Sequence, residues 1–385
     1  MLTAHQLDEL KKVESSLNES GRAVLKGAAG TGKTFCMKHL TDKAVGQVTL
    51  LAPTGKAAAV LREKTGLKVD TIHSALYKTV QEDEEGNPIF KDPEQLGSHG
   101  GLVIIDEASM VGSDVVADLL SKIHPSAALL FVGDPHQLKP VNDDMAAFEL
   151  GYGGGQLDDV IRQGEGPVLD WATHIRRGQA MHWLNENNPS DECWWGDADI
   201  DVIIKRYVDT IKRGEDSTAL VFTNATRQMM NQYCRMMLGY RDRLCVGDRV
   251  VICMNNKNFG IMNGEVFTIK KFTERTIMGL CKVYDVEFNE RPGQYQIHQG
   301  SFGLPGGVKM FNDFKRKHWK KKIGNYMLCA DYGFALTVHK AQGSSWKTVH
   351  GIFENSVNFM SRDERTSWLY TLVTRAEKNL RLYNI

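Results

Sequence analysis

The sequence predicts an α/β protein built on two parallel sheets, the first interrupted by a β-hairpin and the second by a small β-rich domain. Three observations predict it. First, short apolar runs at 23–25, 48–52, 102–105 and 128–132 alternate with helix-like stretches, and each run ends in a polar or glycine-rich turn. Strands apolar along their whole length are buried on both faces, as in a parallel sheet covered by helices. Second, residues 76–99 break this pattern: a Glu-Gly-Asn-Pro turn lies between β-capable arms, the mark of an inserted hairpin. Third, 247–287 becomes β-rich with glycine turns (GDRVVICMNN, NGEVFTIKKF, KVYDVEF), which suits a small barrel. Strands at 218–222 before it and at 349–353 and 380–383 after it form the second α/β region. Residues 291–332 read as irregular, glycine-rich and locally basic.

The 385 residues, 42% hydrophobic, suffice for two or more packed domains. Lys plus Arg and Asp plus Glu both total 47, so any nucleic-acid site must come from local patches rather than bulk charge. The seven cysteines form no C-x-x-C pair, which argues against a zinc ribbon or redox dithiol and fits buried free thiols in a reducing compartment. The first 17 residues read as an amphipathic helix rather than a signal peptide, and there is no run of about 18 apolar residues. The expectation is a soluble, intracellular protein with no membrane partner, in the cytoplasm, or in a host cytoplasm if viral.

Gly27-Ala28-Ala29-Gly30-Thr31-Gly32-Lys33-Thr34 matches G-x-x-x-x-G-K-[ST] between a strand and a helix-capable stretch. Backbone N–H groups of such a loop curl around a phosphate, aided by the helix N-terminus. Lys33 would neutralise the β- and γ-phosphates of ATP, and Thr34 would ligate Mg²⁺. The apolar run 103–105 delivers Asp106 and Glu107 to a strand end, where ligands bind in open α/β sheets. Asp106 would hold Mg²⁺ and Glu107 would polarise the attacking water; alone, the pair would equally suit an ordinary helix start. Gln137, in the turn after 128–132, would sense the γ-phosphate or orient water, although a Gly-Asp-Pro turn by itself accounts for that segment.

Together these residues resemble superfamily 1 helicases, specifically the 5′-to-3′ branch, superfamily 1B, of RecD-like and Dda-like enzymes. Nine ordered segments carry the resemblance: Gln6, GAAGTGKT at 27, APTGKAA at 52, TIHS at 71, IIDEASM at 104, VGDPHQLKPV at 132, LDDVIRQ at 157, ALTVHKAQGSSW at 335 and LYTLVTRA at 369. The resemblance implies two RecA-like motor domains, 1–75 with 100–155 and 156–246 with 333–385. It further implies a pin hairpin at 76–99 in the first and an SH3-like insertion at 247–332 in the second. It makes Gln6 the reader of adenine and adds Gly27, Gly30, Gly32, Phe35, Gln342 and Gly343 to the nucleotide-binding set. Arg162 and Arg375 become the arginines that reach the γ-phosphate when a cleft closes, coupling ATP hydrolysis to movement.

The implied strand-binding track comprises Pro53, Thr54 and Lys56, then Thr71 and His73, then Thr337, His339 and Lys340, short polar turns suited to sequence-tolerant phosphate contacts. Phe90, just beyond the hairpin turn, is the candidate wedge, with packing on the protein as the alternative. Residues 315–322 hold six Lys or Arg around Trp319, either a strand-binding patch or a solvated helix face. Trp171, Trp194 and Trp195 read as packing residues. The implied activity is ATP-dependent 5′-to-3′ DNA unwinding by a monomer, with single-stranded DNA and single/double-strand junctions as partners. Single-strand-binding or replication proteins are further candidates. A translocase that strips bound proteins and an RNA-active enzyme share all these residues; a small-molecule kinase would share only the cradle. The absence of a nuclease motif and of a long N-terminal extension points to a compact stand-alone motor.

Overall fold

The computed structural model describes residues 2–82, 88–91, 96–140, 143–159, 166–179, 190, 192–256 and 258–385. The chain divides into two units: Met1–Val80, Phe90–Trp183 and Arg362–Thr374 form one, and Gln81–Ile89, Leu184–Ser361 and Arg375–Ile385 the other.

The first unit is a six-stranded sheet of β1 (Arg22–Gly27), β2 (Val48–Ala52), β3 (Val69–Thr71), β6 (Leu102–Ile105), β7 (Ala128–Gly133) and β8 (Gly154–Leu157). Its order is β3-β2-β6-β7-β1-β8, and every pair is parallel. The continuous apolar runs are explained by helices on both faces. Leu25, Leu50, Ile104, Leu130 and Val132 pack with Leu10 and Val13 of α1 (Ala4–Ser20), Met37 and Leu40 of α2 (Lys33–Lys43) and Leu61 of α3 (Gly55–Thr65). Val103, Ile105, Leu129 and Phe131, which alternate with them, pack on the opposite face with Ile72 and Leu76 of α4 (Ile72–Leu76) and Val116 and Leu119 of α5 (Ser113–Lys122). The strand at 154–157 was not anticipated; its glycines leave it without an apolar signature, and the expected boundary at 155/156 falls inside it. The helix Arg362–Val373 belongs to this unit.

β4 (Lys78–Glu82) and β5 (Pro88–Lys91) form a two-stranded sheet; the turn expected between them falls at 83–87, outside the described residues. Phe90 lies on β5; its side chain, like that of Trp319, falls outside what the structure describes.

The second unit holds two sheets. One is parallel throughout, in the order β16-β10-β17-β18-β9, from β9 (Cys193–Asp197), β10 (Ser217–Val221), β16 (Ala335–Thr337), β17 (Trp346–Phe353) and β18 (Ala376–Asn384). The other is antiparallel, in the order β14-β13-β12-β11-β15, from β11 (Arg249–Ile252), β12 (Val266–Ile277), β13 (Cys281–Phe288), β14 (Tyr295–His298) and β15 (Ala330–Tyr332). So the segment 291–332, read from sequence as irregular, is a correction: it supplies β14, the helix Gly307–Lys317 and β15. Its glycines hid a helix that buries Phe311 and half-buries Phe314. Among the described residues, no helix is long and apolar enough to cross a membrane.

Trp171 and Trp195 are buried, and Trp194 stacks under the Arg206 guanidinium at 5.2 Å, so all three pack as expected.

Candidate nucleotide and nucleic-acid site

In the first unit, parallel pairing brings the C-terminal ends of β1, β2, β3, β6 and β7 to one edge of the sheet, the edge where open α/β sheets bind ligands. The loop between β1 and α2 begins at Gly27. A Cβ there would fall 2.7 Å from Thr31 Oγ1 and 3.0 Å from Leu157 Cβ, so only glycine fits. Gly30 and Gly32 have φ of 81° and 83°, a left-handed backbone that costs other residues about 1–2 kcal/mol. Gly32 caps α2, whose first residues are Lys33, Thr34 and the exposed Phe35. The Lys33 ammonium donates to the Gly27 and Ala28 carbonyls at 2.9 and 3.0 Å, folded back over the loop it would share with phosphate.

Gln6 is buried against this loop: its amide donates to the Thr31 carbonyl at 3.0 Å and accepts from the Thr3 N–H at 3.0 Å, part of the capping box that starts α1.

β6 ends at Ile105, so Asp106 and Glu107 follow directly at the sheet edge. Burial first, and the neighbouring Glu107 carboxylate second, push the Asp106 carboxyl up to about 7, while Lys33 pulls the other way. A bound cation would reverse that balance. Glu107 has φ 50° and ψ 42°, a left-handed backbone at a non-glycine residue, and its Oε2 is buried without a hydrogen-bond partner. On the adjoining strand end, Gln137 is buried and its Oε1 likewise lacks a partner, as does Ser109 Oγ. Buried polar atoms are almost always paired, so orphans at the strand ends of the sheet edge that carries the phosphate cradle suit a polar ligand. These donors and acceptors suit a nucleotide, and the hydroxyl of Thr34 with the Asp106 carboxylate suits Mg²⁺.

The expected track residues in this unit sit at neighbouring strand ends. β2 and β3 pair so that Ala52 lies opposite Thr71. Thr54 caps α3, accepting the Ala57 N–H at 3.1 Å, with Pro53 before it and Lys56 in the first turn. Thr71 caps α4, accepting the Ser74 N–H at 3.2 Å. His73 is exposed, 5.3 Å from the Tyr77 ring.

In the second unit, Thr337 ends β16 and caps the short helix Val338–Ala341, accepting the Lys340 N–H at 3.4 Å. His339 is half-buried, which lowers its pKa, and Lys340 is exposed. Gln342 is buried and Gly343 has φ 73°. Arg375 is buried and donates to the Ser344 carbonyl at 3.1 Å, so the 342–344 turn and Arg375 are joined. Arg162 lies outside the described residues.

Sequence reasoning missed two residues of the first unit's site, Asp134 and Tyr370. Both stand inside quoted motifs, VGDPHQLKPV and LYTLVTRA, but nothing local marks them, because they meet only in the fold: the Tyr370 hydroxyl donates to Asp134 Oδ2 at 2.6 Å. It also missed Glu354, whose carboxylate accepts the N–H groups of Phe222 and Thr223 at 2.7 and 2.9 Å and the hydroxyls of Thr223 and Thr226 at 2.8 Å each.

A glycine-lined phosphate cradle after β1 and an acidic pair after β6 of a parallel sheet define the P-loop class of nucleotide-binding proteins. Comparison with known proteins narrows this. A family model described as an AAA domain matches residues 1–191, and one described as the UvrD-like helicase C-terminal domain matches 332–383. The chain is 28% identical over 365 residues to the ATP-dependent RecD2 DNA helicase of Deinococcus radiodurans, covering 92% of this chain and 45% of that protein. It is 26% identical over 250 residues to the ATP-dependent DNA helicase dda of Enterobacteria phage T4, covering 61% and 56% respectively. The crystal structure of Bacteroides Pif1 bound to single-stranded DNA aligns over 99% of this chain and 92% of that one, with a TM-score of 0.57 and 16% identity. The chain belongs to the superfamily 1B helicases, related to RecD2 and Dda; its likeness to Pif1 is one of fold. It spans less than two thirds of the length of the RecD2 and dda proteins it matches.

Proposed function

We propose that this chain is an ATP-dependent DNA helicase that moves 5′ to 3′ along single-stranded DNA and separates duplex ahead of it. The observation that carries the reading is the pair of buried, partnerless oxygens, Glu107 Oε2 and Gln137 Oε1, at strand ends on the sheet edge that holds the Lys33 cradle. A catalytic acid and a water- or phosphate-sensing amide placed there suit hydrolysis of a γ-phosphate.

In this reading Lys33 and the loop amides hold the phosphates, with Gln6, Phe35, Gln342 and Gly343 completing the nucleotide site. Thr34 and Asp106 would hold Mg²⁺, which supplies charge neutralisation at the phosphate oxygens. Glu107 takes the proton of the attacking water, and Gln137 orients it. Arg375 and Arg162 stabilise the charge that develops on the transferring group. Pro53, Thr54, Lys56, Thr71, His73, Thr337, His339 and Lys340 form the strand track. The β4–β5 hairpin, with Phe90, acts as the pin of domain 1B. The five-stranded antiparallel sheet is the SH3-like domain 2B, and the two parallel sheets are the cores of domains 1A and 2A. The protein works as a monomer on junctions of single and double strands. The RecD2 and dda relatives, both ATP-dependent DNA helicases, support this reading.

An unwinding assay on duplexes carrying a 5′ or a 3′ tail tests it. Strand separation on the 5′-tailed substrate alone is expected. Separation only with the 3′ tail would reverse the polarity, and separation of neither with vigorous ATP turnover on single strands would favour a protein-stripping translocase. Phe90→Ala should slow unwinding while leaving single-strand-stimulated ATP turnover unchanged.

A further inference from the structure

Tyr370 is buried on the helix Arg362–Val373, within the first unit. Its hydroxyl serves two partners at once. It donates to Asp134 Oδ2 at 2.6 Å and accepts from the Ala29 N–H, inside the phosphate cradle, at 2.9 Å. Asp134 is fully buried, and its other oxygen accepts the His136 N–H at 3.0 Å. The next residue of the helix, Thr371, accepts the Leu138 N–H at 2.9 Å. So the helix is tied to the 134–138 turn at two successive residues and to the cradle at one. Burial, followed by the Asp134 carboxylate, raises the phenol far above its ordinary pKa, which keeps the proton needed for the bond to Asp134. A tyrosine hydroxyl offers one donor and two acceptor lone pairs, which this arrangement requires; phenylalanine fills the ring's space and offers neither.

The chain thus fastens one cradle amide to residues about 105 and 341 positions away in sequence. The same bonded turn contains Gln137, whose buried side-chain oxygen has no protein partner. We propose that Tyr370 is a positioning residue for ATP turnover: its hydroxyl fixes the Ala29 amide against the Asp134 turn and thereby sets the spacing between cradle and Gln137. This rests on reading the site as an ATP hydrolase, and the test separates the two.

Amide hydrogen exchange at Ala29 is measured in the nucleotide-free protein, for the wild type, Tyr370→Phe and Thr371→Val. Ala29 is expected to be protected in the wild type. Exchange should be about tenfold faster or more in Tyr370→Phe and unchanged in Thr371→Val. An unprotected Ala29 amide in the wild type overturns the proposal even if the phenylalanine variant does not fold. Wild-type exchange in a folded Tyr370→Phe also overturns it. The kinetic counterpart is a kcat about tenfold lower in Tyr370→Phe, with KM for ATP changed less than about threefold and thermal stability of the remainder retained. A rise in KM alone, with kcat intact, contradicts a positioning role. A wild type that hydrolyses no ATP overturns the functional reading while leaving the exchange prediction to stand or fall by itself.

Discussion

At the scale of single residues, Glu107 concentrates two unfavourable features: a left-handed backbone at φ 50° and a buried carboxylate oxygen with no partner. Each costs on the order of 1–3 kcal/mol, and such features persist where they serve a site. Glu107→Gln keeps the shape and removes the base. ATP binding should survive while kcat falls by about 100-fold or more, measured by equilibrium nucleotide binding beside steady-state turnover. Normal turnover in that variant would end the assignment. Lys33→Ala should lose both binding and hydrolysis. Arg375→Ala should slow hydrolysis with little change in affinity for single-stranded DNA, read by fluorescence anisotropy on a labelled oligonucleotide.

Among elements, the loop between β1 and α2 is the most constrained. Gly32 combines φ 83° with a Cβ position 2.4 Å from the Gln6 amide nitrogen, so Gly32→Ala must displace Gln6 and strain the turn. ATP affinity should fall at least about tenfold, checked by titration calorimetry. The antiparallel sheet has its own signature. His298 is pushed down to about 4 by burial and by Arg243, and it stacks on Phe314 at 4.5 Å. Its folded pKa lies below the ordinary 6.5, so the unfolded chain binds the proton first. The stability linked to His298 is complete above about pH 6.5 and drains away as pH falls towards about 4. His298→Asn should make the drop in Tm between about pH 7 and pH 5 shallower, as seen by thermal melts. The sequence made most of these elements legible. The central strands read correctly because both faces are buried and their residues are continuously apolar, and the loop between β1 and α2 stood out because its glycines and lysine are local. The edge strand Gly154–Leu157 and the helix Gly307–Lys317 escaped because glycines obscure their periodicity. Asp134 and Tyr370 escaped because their partnership spans 236 positions, which no local pattern encodes.

For the whole molecule, an antiparallel sheet is inserted within the chain of the second of two parallel sheets, and in the proposed function net charge near zero leaves strand binding to local polar turns. A motor of this kind should spend nucleotide chiefly when a strand is bound, whereas a kinase or switch built on the same cradle would not respond to one. The most direct measurement is therefore the steady-state rate of ATP hydrolysis by the wild type, alone and with saturating single-stranded DNA or an RNA of matched sequence. The rate is expected to rise about tenfold or more with DNA, less with RNA, and to be abolished by Lys33→Ala. A rate indifferent to either oligonucleotide would contradict it.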